Sequence, residues 1–124
     1  MRREKELLIK DRGNELRFKI REMSAIELDS WLTRLGLLRQ KAGLKDNFLP
    51  KSAQTPTEAL LSPTGCFEFE ELWPLMNEML ACCRRVDGGV EQICTPNTVD
   101  SFIADVRTLD TLRMEALQLN LDFI

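Results

Sequence analysis

Between Leu16 and Leu38 the hydrophobic period changes from two to about 3.6, and that switch dictates a strand followed at once by a helix. Leu16, Phe18 and Ile20 alternate with Arg17, Lys19 and Arg21, the pattern of a strand with one buried face. Three residues later Ser24-x-x-Glu27 fits a capping box, in which serine and glutamate satisfy the free N–H groups of a helix start reciprocally. Leu28, Trp31, Leu32, Leu35, Leu38 and Ala42 then follow at helical spacing, and Gly43 is placed to end the helix. The spacing predicts a helix over 24–42.

The rest of the chain is read around this pair. Glu6 to Ile9 is a second strand candidate, and Asp11-Arg12-Gly13-Asn14 is rich in turn formers, so 1–22 is expected to be a β-hairpin. From Leu44 the character changes. Pro50, Pro56 and Pro63 stand among Ser, Thr, Lys and Asn, which predicts a long loop over 44–66. Thr55-Pro56-Thr57-Glu58 would start one short helix within it. Phe69, Leu72, Met76, Met79, Leu80 and Cys83 predict a second main helix over 68–85, starting near Glu71 or kinked at Pro74. Its acidic start and Arg84-Arg85 end suit the helix dipole. Val86-Asp87-Gly88-Gly89-Val90 reads as a turn or a small hairpin. Thr95-Pro96-Asn97-Thr98 opens a last helix over 96–121, with Phe102, Val106, Leu109, Leu112, Ala116 and Leu119 on its apolar face. The expected fold is a single domain over 1–124, mostly α (α+β): three main helices, a short connecting helix and a small N-terminal antiparallel β-hairpin.

Composition excludes much chemistry. The chain has no histidine, so Ser-His-Asp and Cys-His catalysis and His-containing zinc sites are out. Cys66, Cys82, Cys83 and Cys94 contain no Cys-x-x-Cys, and adjacent Cys82 and Cys83 on a helix would point about 100° apart. Buried free thiols are expected, with no metal and no cofactor. The glycines are scattered and form no phosphate-binding loop. Asp100, Asp105 and Asp110 do not share a helix face, so a magnesium site is not expected either. No stretch approaches the roughly 18–20 apolar residues of a membrane span, and Leu7-Leu8-Ile9 is too short for a signal peptide. A soluble cytoplasmic protein without a membrane partner is expected.

The formal net charge of -3 hides an asymmetry. Met1–Lys51 carries 13 basic and 8 acidic residues, while Ser52–Ile124 carries 4 and 12. Nucleic acid is not the expected partner of the basic half, because Glu4, Glu6, Asp11 and Glu15 interleave with its cations and it has no aromatic platform. Two unlike halves favour head-to-tail contact between copies. Met23, Met76, Met79 and Met114 suit adaptable contact surfaces, though core filling is the commoner use of methionine, and Leu117, Leu119, Leu121, Phe123 and Ile124 carry apolar side chains on through the last segment.

Two segments add a family resemblance. Phe18-Lys19-Ile20-Arg21-Glu22-Met23-Ser24-Ala25, with Trp31 and Leu35 after it, resembles the strand-to-helix start of tail assembly chaperones of long-tailed, non-contractile (siphovirus, lambdoid-type) bacteriophages. Leu109-Asp110-Thr111-Leu112-Arg113-Met114-Glu115-Ala116-Leu117, with Leu119, resembles the end of the same family, and Leu75 to Leu80 is a weaker middle match. The loop from Leu44 to Gly65 matches nothing in it. The resemblance implies a non-enzymatic protein of the infected host cytoplasm, outside the mature virion. It implies a partner in the tape-measure protein, kept soluble by the chaperone, and recruitment of the tail-tube protein. It also implies self-association into open spirals and, for many members, a longer frameshifted form.

On that reading Arg17, Lys19 and Arg21 are expected to meet Glu68, Glu70 and Glu71 of a neighbouring copy. Met76, Met79, Leu119 and Phe123 are expected to touch the client. The alternative from the residues alone is a small adaptor or regulatory domain that binds another protein through the hairpin edge or the last helix. A cryptic enzyme using a cysteine or a carboxylate is the third reading.

Overall fold

A computed structural model describes residues 2–41 and 69–121. The chain begins with two long strands, β1 (Glu4–Asp11) and β2 (Asn14–Arg21), paired antiparallel so that Asp11 faces Asn14 and Glu4 faces Arg21. Only Arg12 and Gly13 lie between them, both at positive φ (47° and 88°), the left-handed pair of a type I′ turn that matches strand twist. Leu16, Phe18 and Ile20 turn inward and are buried.

Helix α1 (Ala25–Lys41) follows directly. Its capping box forms: the Ser24 hydroxyl accepts from the Glu27 N–H at 3.3 Å, and the Glu27 carboxylate accepts from the Ser24 N–H at 2.9 Å. Trp31 and Leu35 of its stripe are fully buried. Helix α2 (Phe69–Leu80) runs through Pro74 and buries Leu72, Leu75, Met76, Met79 and Leu80. The Trp31 Nε1–H donates to the Leu75 carbonyl at 3.0 Å, which joins α1 to α2 inside the core.

Beyond α2 the structure departs from the expected fold. The helix expected to reach Arg85 ends at Leu80, and Cys83–Asp87 is strand β3, paired antiparallel with β2 (Ile20 opposite Cys83, Arg17 opposite Val86). Gly88 and Gly89, both at positive φ, turn the chain into β4 (Val90–Ile93). The β component is therefore a four-stranded antiparallel sheet in the order β1-β2-β3-β4, and the fold is α+β with a full sheet, not three main helices beside a small hairpin. The physical reason is the second edge of β2, whose backbone N–H and C=O groups pair with β3 instead of standing unpaired beside the core.

The terminal helix is also divided. A single turn, α3 (Pro96–Val99), carries its own Thr95/Thr98 capping box. Helix α4 (Val106–Asn120) starts afresh with Asp105 as its N-cap. What stops one helix over 96–121 is Asp11, at the turn of the first hairpin. Its buried carboxylate accepts from the N–H groups of Ala104 (2.8 Å) and Asp105 (3.0 Å) and from the Thr108 hydroxyl (2.8 Å). The intervening Phe102 packs its ring on Phe18 at 6.3 Å and under the Arg85 guanidinium at 4.8 Å. The helices cover one face of the sheet, and among the described residues nothing covers the other.

The expected 44–66 loop with its short helix, and Cys66, Glu68 and Phe123, lie outside the described residues. Among the described residues no helix is long and apolar enough to cross a membrane.

Candidate functional site

The end of β2, the first turns of α1, the end of α2 and the outer strands enclose a groove of about 560 Å³. Its apolar lining is Met23, Ile26, Ala81, Cys82 and Ile93. Ile26 is 75% exposed and Ile93 47%, large values for isoleucine beside a core. Its charged lining alternates in sign. Arg2 pairs with Glu27 at 3.6 Å, and Arg34 pairs with Glu78 through both guanidinium nitrogens, a contact that raises the Arg34 pKa. The Glu27 carboxyl is held below its ordinary value by the Ser24 backbone and hydroxyl. Arg84 reaches Glu91 at 3.4 Å. The Nε of Arg21 is buried and has no hydrogen-bond partner among the described residues. An arginine N–H in that state favours a carboxylate or a carbonyl brought by something else.

One wall is fixed by Asn120, the last residue of α4. Its Oδ1 accepts from the Met23 N–H at 2.8 Å, and its amide nitrogen donates to the Ala116 carbonyl at 2.8 Å and lies 3.8 Å from the Cys82 sulfur. Arg3 donates to the Leu119 carbonyl at 2.8 Å. The end of α4 thus braces, from behind, the strand-to-helix turn that lines the groove.

The residues singled out from sequence fall in three places. Arg17, Lys19 and Arg21 stand on the open face of β2, but they do not form a bare basic strip. Register puts Glu6 opposite Lys19 and Glu4 opposite Arg21. From the other side Glu91 reaches Lys19 at 3.2 Å. The hydrogen bond and charge of Glu91, helped by Glu4 and Glu6, raise the Lys19 pKa, and Lys19 and Arg84 lower that of Glu91. Glu70 and Glu71 stand in the first turn of α2. Met76 and Met79, expected at a client, are core side chains. Leu119 is half-buried against the core, next to the wall of the groove.

Of the methionines expected to suit contact surfaces, Met23 lines the groove, but Ile26, Arg34, Glu78 and Ile93 were not singled out from the sequence. The available signal was Ile26, an isoleucine on the polar side of the α1 stripe.

The thiols offer little chemistry. Burial pushes Cys82 and Cys94 up to about 11 and Cys83 well above its ordinary value, so none is a thiolate near neutrality. Among the described residues no cluster of three or more Cys, Asp or Glu side chains could hold a metal ion. Arg113 is buried, with its guanidinium 5.8 Å over the Trp73 ring, and Trp73 stacks on exposed Phe69 at 5.1 Å. Desolvation lowers the Arg113 pKa against the pull of Asp110. No family model, no curated protein and no solved structure matches the chain.

Proposed function

We propose that this chain is a tail assembly chaperone of a siphovirus-type phage, acting by binding rather than catalysis. It holds helical segments of the tape-measure protein, keeps that protein soluble in the host cytoplasm and helps bring tail-tube subunits to it. The supporting observation is where the two main resembling segments lie. Phe18 to Ala25 supplies Arg21, Glu22 and Met23 to the groove, and Leu109 to Leu119 is the helix whose last residue, Asn120, fixes the Met23 wall. A hydrogen bond thus ties the first segment to the residue that follows the second, although the two lie far apart in sequence.

The groove suits such a client. An amphipathic helix lays its apolar side chains on Met23, Ile26 and Ile93, and its carboxylates reach Arg21 and Arg84. Long helical clients expose repeated short stripes of this kind, so modest affinity per site is enough when many copies bind.

Co-expression with the tape-measure protein of the same genome tests the reading. The client is expected to move from the pellet to the soluble fraction when this chain is present. Ile26→Asp with Ile93→Asp should abolish that shift while leaving the circular dichroism of the chain unchanged. Equal client aggregation with and without the chain overturns the chaperone function. Full rescue by the double variant overturns the groove as its site.

A further inference from the structure

Strand β1 ends the sheet, and its outer edge is long, regular and open. The Arg3 carbonyl accepts from the Glu22 N–H at 3.0 Å, which fixes the parity of the ladder. Backbone groups of Lys5, Leu7, Ile9 and Asp11 face β2, and those of Glu4, Glu6, Leu8 and Lys10 face outward. No strand lies beyond them among the described residues. The register with β2 runs unbroken from Glu4 to Asp11, so no bulge blunts this edge, and Leu8 at its centre is 58% exposed.

The edge is complementary to itself. Lys5-Glu6-Leu7-Leu8-Ile9-Lys10-Asp11, run antiparallel against a second copy about Leu8, sets Leu8 on Leu8, Leu7 on Ile9, Glu6 on Lys10 and Lys5 on Asp11. Every charge meets its opposite and every apolar side chain meets another. The same centre makes Leu8–Leu8 and the two Glu6–Lys10 pairs the hydrogen-bonded ones, giving about six backbone bonds across the edge. The neighbouring registers fail on side chains. Pairing about Leu7 sets Glu6 on Leu8 and Lys5 on Ile9, and pairing about Ile9 sets Leu7 on Asp11 and Leu8 on Lys10. Lys5 and Asp11 already bind Glu115 and Thr108 of α4, so recognition rests on Glu6, Lys10 and the three apolar residues between them.

We infer that two copies of this chain pair through β1, antiparallel about Leu8, into a two-fold dimer with one continuous eight-stranded sheet. The contact is isologous, the same patch on both partners, and it differs from the head-to-tail contact expected from charge asymmetry. It does not depend on the chaperone reading, because it rests on the β1 edge, to which the groove residues Ile26 and Ile93 do not belong.

Sedimentation velocity on the full chain over a range of concentrations tests it. The unaltered chain is expected to sediment as a dimer. Glu6→Lys alone and Lys10→Glu alone each set like charges on both symmetric pairs and should weaken the dimer about tenfold or more. The two changes together restore every pair and should restore the dimer. All three variants alter exposed side chains whose backbone groups point away from β2, and far-ultraviolet circular dichroism should be the same for all. A chain that stays monomeric at the highest concentration overturns the proposal. So do single variants that dimerise as well as the parent, or a double variant that does not recover.

Discussion

Strand β2 has two faces that obey different rules. Inward, Leu16, Phe18 and Ile20 are buried among side chains from every main helix, and each has one place to be. Outward, Lys19 and Arg21 face carboxylates that are exchangeable, while Arg17 stands between Leu8 and Val86: Glu91 serves Lys19 and Arg84 at once, and Glu4 and Glu6 flank from β1. The inner face is specified by shape and desolvation, which are short-ranged and unforgiving. The outer face is specified by charge in water, which any nearby opposite charge satisfies. The acidic partner expected from another copy is in part supplied by Glu91 of the same molecule, distant in sequence and adjacent in space.

The largest effect should come from the inner face. Phe18→Ala is expected to cost about 3–5 kcal/mol, since it removes a fully buried ring and leaves a cavity under Phe102. Urea unfolding measures it. A loss no larger than that of Arg17→Ala, which stands next to it on the exposed side, would erase the distinction between the faces.

Next comes Asp11, a charge on the inner side. Burial alone would raise its pKa, but the Ala104 N–H, the Thr108 hydroxyl and the Asp105 N–H outweigh burial and hold it below 3.8. The ionised form is therefore favoured by folding. Its contribution is present above the unfolded value and is lost as pH falls through the lower folded value. Asp105, held at about 2 by Arg107, adds to the loss over the same acid range. Asp11→Ala should cost about 2 kcal/mol near neutrality, from the lost cap and the stranded donors. It should also flatten the decline of stability from about pH 4 downward. An unchanged acid slope would show that the hairpin turn does not anchor α4.

Trp31→Phe keeps most of the buried ring and removes only the Nε1–H bond to the Leu75 carbonyl. About 1 kcal/mol is expected, read from the urea midpoint. A loss near that of Phe18→Ala would mean that α1 is held by this bond more than by packing.

The same contrast explains what was legible in the sequence. Strand β2 and helix α1 could be read because their periods are sustained over several repeats and Ser24 with Glu27 marks the boundary. Strand β3 could not. Cys83 continues the apolar stripe of Met76, Met79 and Leu80, and Arg84-Arg85 looks like a helix end. In the fold Arg84 faces out to Glu91, and Arg85 faces in over the ring of Phe102, so a cation occupies an apolar position and the alternation disappears. Gly88-Gly89 was the one local signal of a hairpin. The division of α3 from α4 depends on Asp11, some ninety residues upstream, and no window along the chain contains both. Met76 and Met79 were expected at a client because methionine adapts. Both lie on the buried face of α2, where the same adaptability fills the core.

The smallest effect, and the sharpest test of the outer face, is Glu91→Gln. Glu91 is the common partner of Lys19 and Arg84, and its pKa is lowered by both. Removing its charge leaves two cations opposite each other, since Lys19 and Arg84 are cross-strand neighbours. Like charges directly opposite repel, yet both side chains reach water and can turn away. The unfolding midpoint should therefore drop less than for Trp31→Phe. The drop should shrink further as salt is added, because exposed charges are screened within about 10 Å at 0.1 M ionic strength. Pairing Glu91→Gln with Lys19→Met in a double-mutant cycle isolates the contact. A coupling that survives high salt would place this pair in the specification of the fold alongside Phe18, and the open face would then be as fixed as the buried one.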